Sequence, residues 1–327
     1  MSRTLDARHD HFELNSPFRI SRGTKTAIDT VTVTITDGDY SGRGEGVPYA
    51  RYGETVESAL AEITGARSLI ERDGTRSGLL TDMQAGAARN AIDCALWDLE
   101  SHQSHRNVAA MIGAPSPPTM ASALTIVLDT PAAMARSAAT QAQAPVLKVK
   151  VDSMHSADRL RAVREAAPHS ILIVDPNESW NEAIVRDLQP LLVQFKVALL
   201  EQPVPAEEDD WLEYYSPLVP ICADEAVHVS SDLPRLARRY QAVNVKLDKT
   251  GGLTAALALA DNALALGLVL MTGCMVCSSL SIAPAMHIAR RSTFVDLDGP
   301  IWLKHDLPGG VTYDGGMLTP PRHGFWG

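Results

Sequence analysis

VLKVK at 146–150, ILIVD at 171–175, ALLE at 198–201, PICAD at 220–224 and VNVK at 243–246 are short apolar runs, each closed by a charged residue. The closing residues, Lys150, Asp175, Glu201, Asp224 and Lys246, follow one another at intervals of 25, 26, 23 and 22. An interval of that size holds one strand, a loop, a helix and a return loop, and the segments between the runs are Ala-, Arg- and Glu-rich helical sequence. The same beat extends to 123–127 before the five runs and to 268–271 and 294–297 after them. Eight such strands predict a closed parallel barrel of the α/β class, and little helical pattern follows the eighth.

Upstream, to about residue 118, the texture differs. Thr30-Val31-Thr32-Val33-Thr34-Ile35 alternates like a half-exposed strand, and Asp37-Gly38-Asp39 reads as the turn of an antiparallel hairpin. Thr81-Asp82-Met83-Gln84 has the pattern of a capping box, predicted to open a helix on which Met83, Ala87, Ala91, Ala95 and Leu99 share a face. Gly113-Ala114-Pro115-Ser116-Pro117-Pro118 is the strongest breaker cluster in the chain. The expected division is an α+β domain over 1–118, the barrel over 119–302, and a Gly/Pro-rich segment, 303–327, returning to the first domain.

Composition narrows the partner. At 327 residues the chain can bury a large core, and 45% apolar with 21% charged residues is ordinary globular composition. A net charge of −10 opposes a nucleic-acid groove or an anionic membrane surface, which leaves a small-molecule partner and room for a homo-oligomer. The first residues lack the apolar stretch of a signal peptide, and Asp261 and Asn262 interrupt the richest apolar segment, 257–271, so a cytoplasmic protein is expected. Of the four cysteines only Cys274 and Cys277 have a recognisable spacing, and they read as thiols at the end of a buried strand. His9 with His11 and His102 with His105 lie in polar stretches and read as solvated. Gly42, Gly44 and Gly46 do not have the spacing of a nucleotide-binding loop.

Strand C-termini of a parallel barrel converge on one mouth, where chemistry is done. Asp175, Glu201 and Asp224 would bring three hard oxygen ligands from adjacent strands, a set suited to Mg²⁺ with positions left for substrate oxygens. Lys148 and Lys150 stand two apart and share a face, so each is expected to lower the pKa of the pair. Lys246 enters from the far side of the carboxylates. Two opposed amines around a carboxylate-chelating metal describe removal and return of a proton at a carbon next to a carboxylate, through an enediolate.

These residues resemble the enolase superfamily in its muconate-lactonising subgroup. Lys148-Val149-Lys150 is similar to its second-strand Lys-x-Lys; Asp175-Pro176-Asn177, Glu201-Gln202-Pro203 and Asp224-Glu225 are similar to its metal-ligand strands; and the run from Asn244 to Gly252, NVKLDKTGG, is similar to its sixth. Gly86-Ala87-Ala88-Arg89-Asn90 carries the likeness into the first domain. Pro176 departs from the small residue frequent in the family. The resemblance implies a (β/α)7β TIM-like barrel under an α+β N-terminal capping domain, with one Mg²⁺ per subunit.

Asp296-Leu297-Asp298 on the eighth strand puts two carboxylates on one face and asks for a cation. It resembles the Asp-x-Asp motif of dipeptide epimerases, which holds a substrate α-ammonium. Ser21-Arg22-Gly23-Thr24-Lys25 resembles the loop that closes over the pocket, with Arg22 expected to clamp an acidic side chain and Arg19 and Lys25 close enough to compete for that register. Thr125 and Cys274 would line the same mouth. The implied activity is epimerisation of the C-terminal residue of a dipeptide, L-Ala-D/L-Glu from murein foremost, with Lys150 and Lys246 as the two bases and Lys148 holding the carboxylate. The rival enzymes are a cycloisomerase, o-succinylbenzoate synthase or N-succinylamino acid racemase, whose substrates carry no free ammonium; a catalytically silent binding protein is the rival outside enzymes.

Overall fold

A computed structural model describes residues 3–327. The first domain is a three-stranded antiparallel sheet, β1 (Thr4–Ile20), β2 (Gly23–Asp37) and β3 (Tyr40–Gly46), packed against helices α1 (Val56–Glu71), α2 (Arg76–Asp82) and α3 (Ala87–Ser104). The hairpin turn falls at Gly38, with φ +61°. The alternating segment in β2 is buried on both faces, Thr30 and Thr32 included, so it is a core strand and not a half-exposed one.

The glycines of β3 have a packing role. A Cβ at Gly42, Gly44 or Gly46 would lie 2.1 to 2.2 Å from the backbone of α3, at Leu99 and Ala95, Ala91 and Ala87 respectively. Three glycines at alternate positions therefore let one face of β3 rest directly on the alanine stripe of α3.

That helix starts later than its sequence predicts. Thr81 and Asp82 end α2, Met83 caps its C-terminus, and α3 begins at Ala87. The capping pattern is outcompeted because Glu54 supplies the acceptor instead, taking the N–H of Ala87 at 2.8 Å from a distant loop.

The barrel strands are β5 (Leu124–Ile126), β6 (Val146–Lys150), β7 (Ile171–Asp175), β8 (Val197–Glu201), β9 (Ile221–Ala223), β10 (Ala242–Val245), β11 (Val269–Gly273) and β12 (Phe294–Asp296), following a two-residue strand β4 (Met120–Ala121). They pair in parallel and in sequence order, and the N–H of Ala123 donates to the carbonyl of Val295 at 2.8 Å to join the two ends. Ala123, Ile173, Leu199, Cys222, Ala242 and Met271 fill the interior. Intervening helices start at side-chain caps, as at Thr130 and Asn181, and bury their apolar faces on the outside of the barrel. A hairpin of β13 (Thr312–Asp314) and β14 (Met317–Thr319) pairs with β4, and the tail reaches α3, where Trp326 Nε1 donates to the Cys94 carbonyl at 3.2 Å and the N–H of Gly327 donates to Asp98.

Polar residues of α3 dock the cap on the barrel. Arg89 donates to the carbonyls of Thr250 and Gly251, Asn90 donates to Asp248, and Asp93 accepts from Thr254. Among the described residues no helix is long and apolar enough to cross a membrane.

Candidate active site

Between the barrel mouth and the cap lies a cavity of about 540 Å³. Thr125, Lys148, Lys150, Lys246, Asp296 and Asp298 line it from the strand ends, and Cys274 from the segment after β11. A larger cleft of about 720 Å³, between α3 and the C-terminal tail, holds none of the strand-end charges, so chemistry and not size identifies the site.

Asp175, Glu201 and Asp224 sit behind the lysines at 0 to 1% exposure. Each is turned onto an ammonium. Lys150 Nζ donates to Asp175 Oδ2 at 2.6 Å, as the cross-strand pairing of these two residues dictates. Lys148 Nζ reaches three carboxylates, Asp175 at 3.1 Å, Glu201 Oε1 at 3.0 Å and Asp296 at 2.8 Å. Asp224 takes Lys246 and Lys249, both at 2.6 Å. With the carboxylates so committed, no three metal-binding side chains converge among the described residues.

The electrostatics follow from this packing. Burial lifts the Glu201 carboxyl and Asp175 adds to the effect, to about 8. Asp175 and Asp224 are pushed up by burial too, but their lysines outweigh it and hold both well below the ordinary carboxylate range. The expected mutual lowering of the lysine pair is overturned at Lys148: burial opposes its charge, yet Asp296, Glu201 and Asp175 hold its pKa well above the usual value. Lys246 is raised as well, Asp224 outweighing burial. Counting only neighbours in sequence misses this, because the carboxylates come from other strands.

At the eighth strand, Asp298 Oδ2 accepts the backbone N–H of Thr125 at 2.8 Å and Trp302 Nε1 at 3.3 Å. Burial, with Asp296 beside it, pushes the Asp298 carboxyl up to about 6. Asp296 Oδ1 is buried without a partner. Both side chains face the cavity with unused acceptor capacity, the condition for receiving an ammonium group.

Arg22 reaches the cavity but is not a free clamp. It pairs with Glu225 at 2.8 Å and Glu178 at 3.2 Å, and donates to the Asn177 carbonyl and the Tyr49 hydroxyl. Arg51 grips the same Glu178 through two nitrogens, both at 2.9 Å. These two arginines bind the cap loops to the barrel mouth. Glu225 and Lys249 stand in the sequence motifs without a role assigned by them; their charge is legible there and their partners are not.

Residues 2–113 match the family described as mandelate racemase / muconate lactonizing enzyme, N-terminal domain, and residues 131–325 match the enolase C-terminal domain-like family. The chain belongs to this group of the enolase superfamily. Among its relatives, the L-Ala-D/L-Glu epimerase of Escherichia coli (strain K12) is 44% identical, with 97% of this chain and 99% of that one covered. An N-acetyl-D-glutamate racemase of Pseudoalteromonas sp. is 42% identical, with 91% and 95% covered. A crystal structure of an enolase family member from Agrobacterium tumefaciens with homology to dipeptide epimerases, holding sodium and L-Ala-L-Glu with an ordered loop, superposes with a TM-score of 0.97 at 44% identity, covering 99% of this chain and all of that one.

Proposed function

We propose that the protein is a Mg²⁺-dependent dipeptide epimerase that inverts the α-carbon of the C-terminal residue, with L-Ala-D/L-Glu, a murein-derived dipeptide, as substrate. The observation that carries this reading is the pairing of two lysines at opposite sides of the barrel mouth with two carboxylates ready for an ammonium. Lys150 ends the second of eight barrel strands and Lys246 follows the sixth, four strands apart in either direction around the barrel. A substrate carbon lying between them meets one amine on each face. The neutral lysine takes the α-proton and the opposite ammonium returns one, which inverts the centre. Lys148, held charged among its carboxylates, faces the charge that develops on the substrate carboxylate. Asp296 and Asp298 take the α-ammonium, and Thr125 orients Asp298 through its N–H.

The donor set fits a hard divalent cation. Asp175, Glu201 and Asp224 offer only oxygens, and Glu201 Oε2 makes no hydrogen bond although it lies 2.7 Å from Lys148 Nζ. Mg²⁺ held by those three residues would add positive charge among the buried carboxylates and supply the Lewis acidity that makes an α-proton removable.

A second reading, racemisation of an N-acylated glutamate, has the Pseudoalteromonas relative behind it. Such a substrate has no ammonium for Asp296 and Asp298, and the dipeptide is preferred on that ground. Both are tested by incubating the protein with Mg²⁺ in D₂O with L-Ala-L-Glu or with N-acetyl-L-glutamate and following the glutamate α-proton by NMR. Exchange with appearance of the L,D diastereomer is expected for the dipeptide. Full turnover retained in both Lys150→Ala and Lys246→Ala would refute the two-base scheme.

A further inference from the structure

The segment that joins β11 to the helix Ser279–Ala289 forms one wall of the cavity, through Cys274, Met275 and Val276. Its two thiols differ in access: Cys274 is half-buried on that wall, and Cys277 is 0% exposed. They also meet. Burial pushes the Cys277 thiol well above its usual pKa, and a hydrogen bond with the Cys274 thiol adds to the effect. The other two cysteines are sealed in the interior, Cys94 donating to Asn90 Oδ1 at 3.2 Å and Cys222 to the Ala223 carbonyl at 3.6 Å. Cys274 is thus the thiol that a small solute in the cavity meets, and Cys277 stands behind it in contact. A reachable thiol backed by a buried one at Cys-x-x-Cys spacing is the arrangement of a dithiol that can close.

The same segment packs against both halves of the proposed site. At its far end a Cβ on Gly299 would lie 2.9 Å from Cys277 Sγ and 2.7 Å from the Met275 carbonyl oxygen, so the backbone just after Asp298 rests directly on the segment. At its near end a Cβ on Gly273 would lie 3.0 Å from Lys246 Cε. A covalent S–S bond is far shorter than a thiol–thiol hydrogen bond, so closing the pair draws Cys277 Sγ and the segment away from the seat they give Gly299.

We propose that Cys274 and Cys277 are a modification site, a dithiol that hydrogen peroxide converts to a disulfide, and that the closed form loosens Asp298 from the position in which it would take an ammonium. Cys274 sulfur attacks one peroxide oxygen, the O–O bond breaks, and the departing hydroxide leaves as water with the thiol proton, giving a sulfenic acid. Cys277 sulfur then attacks Cys274 sulfur, the S–O bond breaks, and a second water leaves with the Cys277 proton. Two thiols lose two electrons and two protons, and one peroxide becomes two waters. Only the kinetic part of the test rests on the epimerase reading.

The reduced protein is treated with hydrogen peroxide, quenched, alkylated and digested, and the tryptic peptide 250–290, which holds both thiols, is weighed. It is expected to resist alkylation and to be lighter than the dithiol by two hydrogens. Dithiothreitol should restore both thiols; it leaves methionine sulfoxide in place, which separates this change from oxidation of Met275. Amide hydrogen exchange over 296–299 should quicken in the oxidised protein, and KM for L-Ala-L-Glu should rise roughly 10-fold, the size of a charged hydrogen bond weakened, and fall again on reduction. In Cys277→Ala, with a thermal melt establishing that it folds, Cys274 has no partner and should pass to the sulfinic acid, which dithiothreitol does not reverse. Should that variant not fold, the mass and exchange of the unaltered protein decide alone. Oxygen added at Cys274 or Met275 of the unaltered protein without the loss of two hydrogens overturns the proposal, as does a disulfide that leaves exchange over 296–299 unchanged. A dipeptide that is turned over with KM moved less than about 2-fold by oxidation overturns it as well. Should no dipeptide be turned over, the epimerase reading fails by itself, while mass and exchange still decide the dithiol.

Discussion

Replacing Glu45 by Gln should flatten the dependence of stability on pH. Glu45 extends from β3 of the cap into the N-terminus of the barrel helix Ser279–Ala289, where it accepts from the N–H of Ser278 at 2.9 Å, the Ser278 hydroxyl at 2.6 Å and the Ser281 hydroxyl at 3.1 Å. Among the described residues no lysine or arginine pairs with it, and burial raises its pKa from 4.5 to about 7 despite those three donors. A carboxyl whose pKa is raised on folding stabilises the native state fully below its unfolded pKa and loses that contribution as pH rises through the folded value. A rise from 4.5 to about 7 corresponds to about 3 kcal/mol, lost between roughly pH 4.5 and pH 7.5. Glutamine does not titrate, so any fixed cost of the amide moves its whole curve without changing the slope. Asp248, raised to about 7, and Asp93, raised to about 6, titrate in the same window but remain in both proteins and largely cancel in the difference. Urea unfolding at pH 5, 6, 7 and 8 should show Glu45→Gln gaining on the unaltered protein by an amount approaching 3 kcal/mol across the series. A difference that stays level with pH would mean that Glu45 is solvated or paired in the folded state, contrary to the seam described.

Two further outcomes follow from the site and the cap. Asp298→Asn should raise KM for L-Ala-L-Glu by roughly 10-fold or more through loss of a charged ammonium contact, with a far smaller change for N-acetyl-L-glutamate; steady-state kinetics on the two substrates decide it. Gly44→Ala places a methyl 2.2 Å from the Ala91 carbonyl and 2.7 Å from the Ala95 nitrogen, both backbone, and should destabilise by about 3 kcal/mol, whereas Gly65→Ala, in the exposed middle of α1 with nothing within 4 Å, should stabilise by roughly 0.5 to 1 kcal/mol, both read from urea midpoints.

Periodicity made the barrel legible, because each strand of a parallel barrel is an apolar run and its closing residue marks the mouth. It also gave the residue types of the site. What it could not give was partnership between strands. Lys148 reads as one of a repelling pair along β6, yet its environment is set by Glu201 from β8 and Asp296 from β12. Arg22 reads as an unattached cation on a turn, yet two acids more than 150 residues away hold it. The start of α3 departs from its local pattern for a related reason: its cap acceptor, Glu54, is 33 residues upstream and no local pattern announces it. Conversely, the glycines of β3 looked like a failed phosphate loop because their reason, contact with α3, exists only in the folded chain.

The segment that follows β10 joins the proposed proton-transfer site to the docking of the cap. Lys246 and Lys249 hold Asp224 from within it, and Lys249 also donates to the carbonyl of Asn244, which closes the loop on its own strand. Between those lysines, Asp248 accepts the N–H of Val47 and the side chain of Asn90, both from the cap. Immediately after them, the carbonyls of Thr250 and Gly251 receive Arg89. Gly251 and Gly252 have φ of +72° and +114°, and a Cβ on either would lie 2.4 to 2.5 Å from Arg89 or Asp93. The two glycines therefore answer two demands together, a backbone conformation that L side chains rarely adopt and the close seat of a cap helix. With Lys246 anchored in a segment held on both sides in this way, a cap that lifts from the barrel disturbs the position of the proposed base as well as the cover of the cavity. Cap and barrel are thus tied together at the segment that carries Lys246, although their sequences read as separate folds.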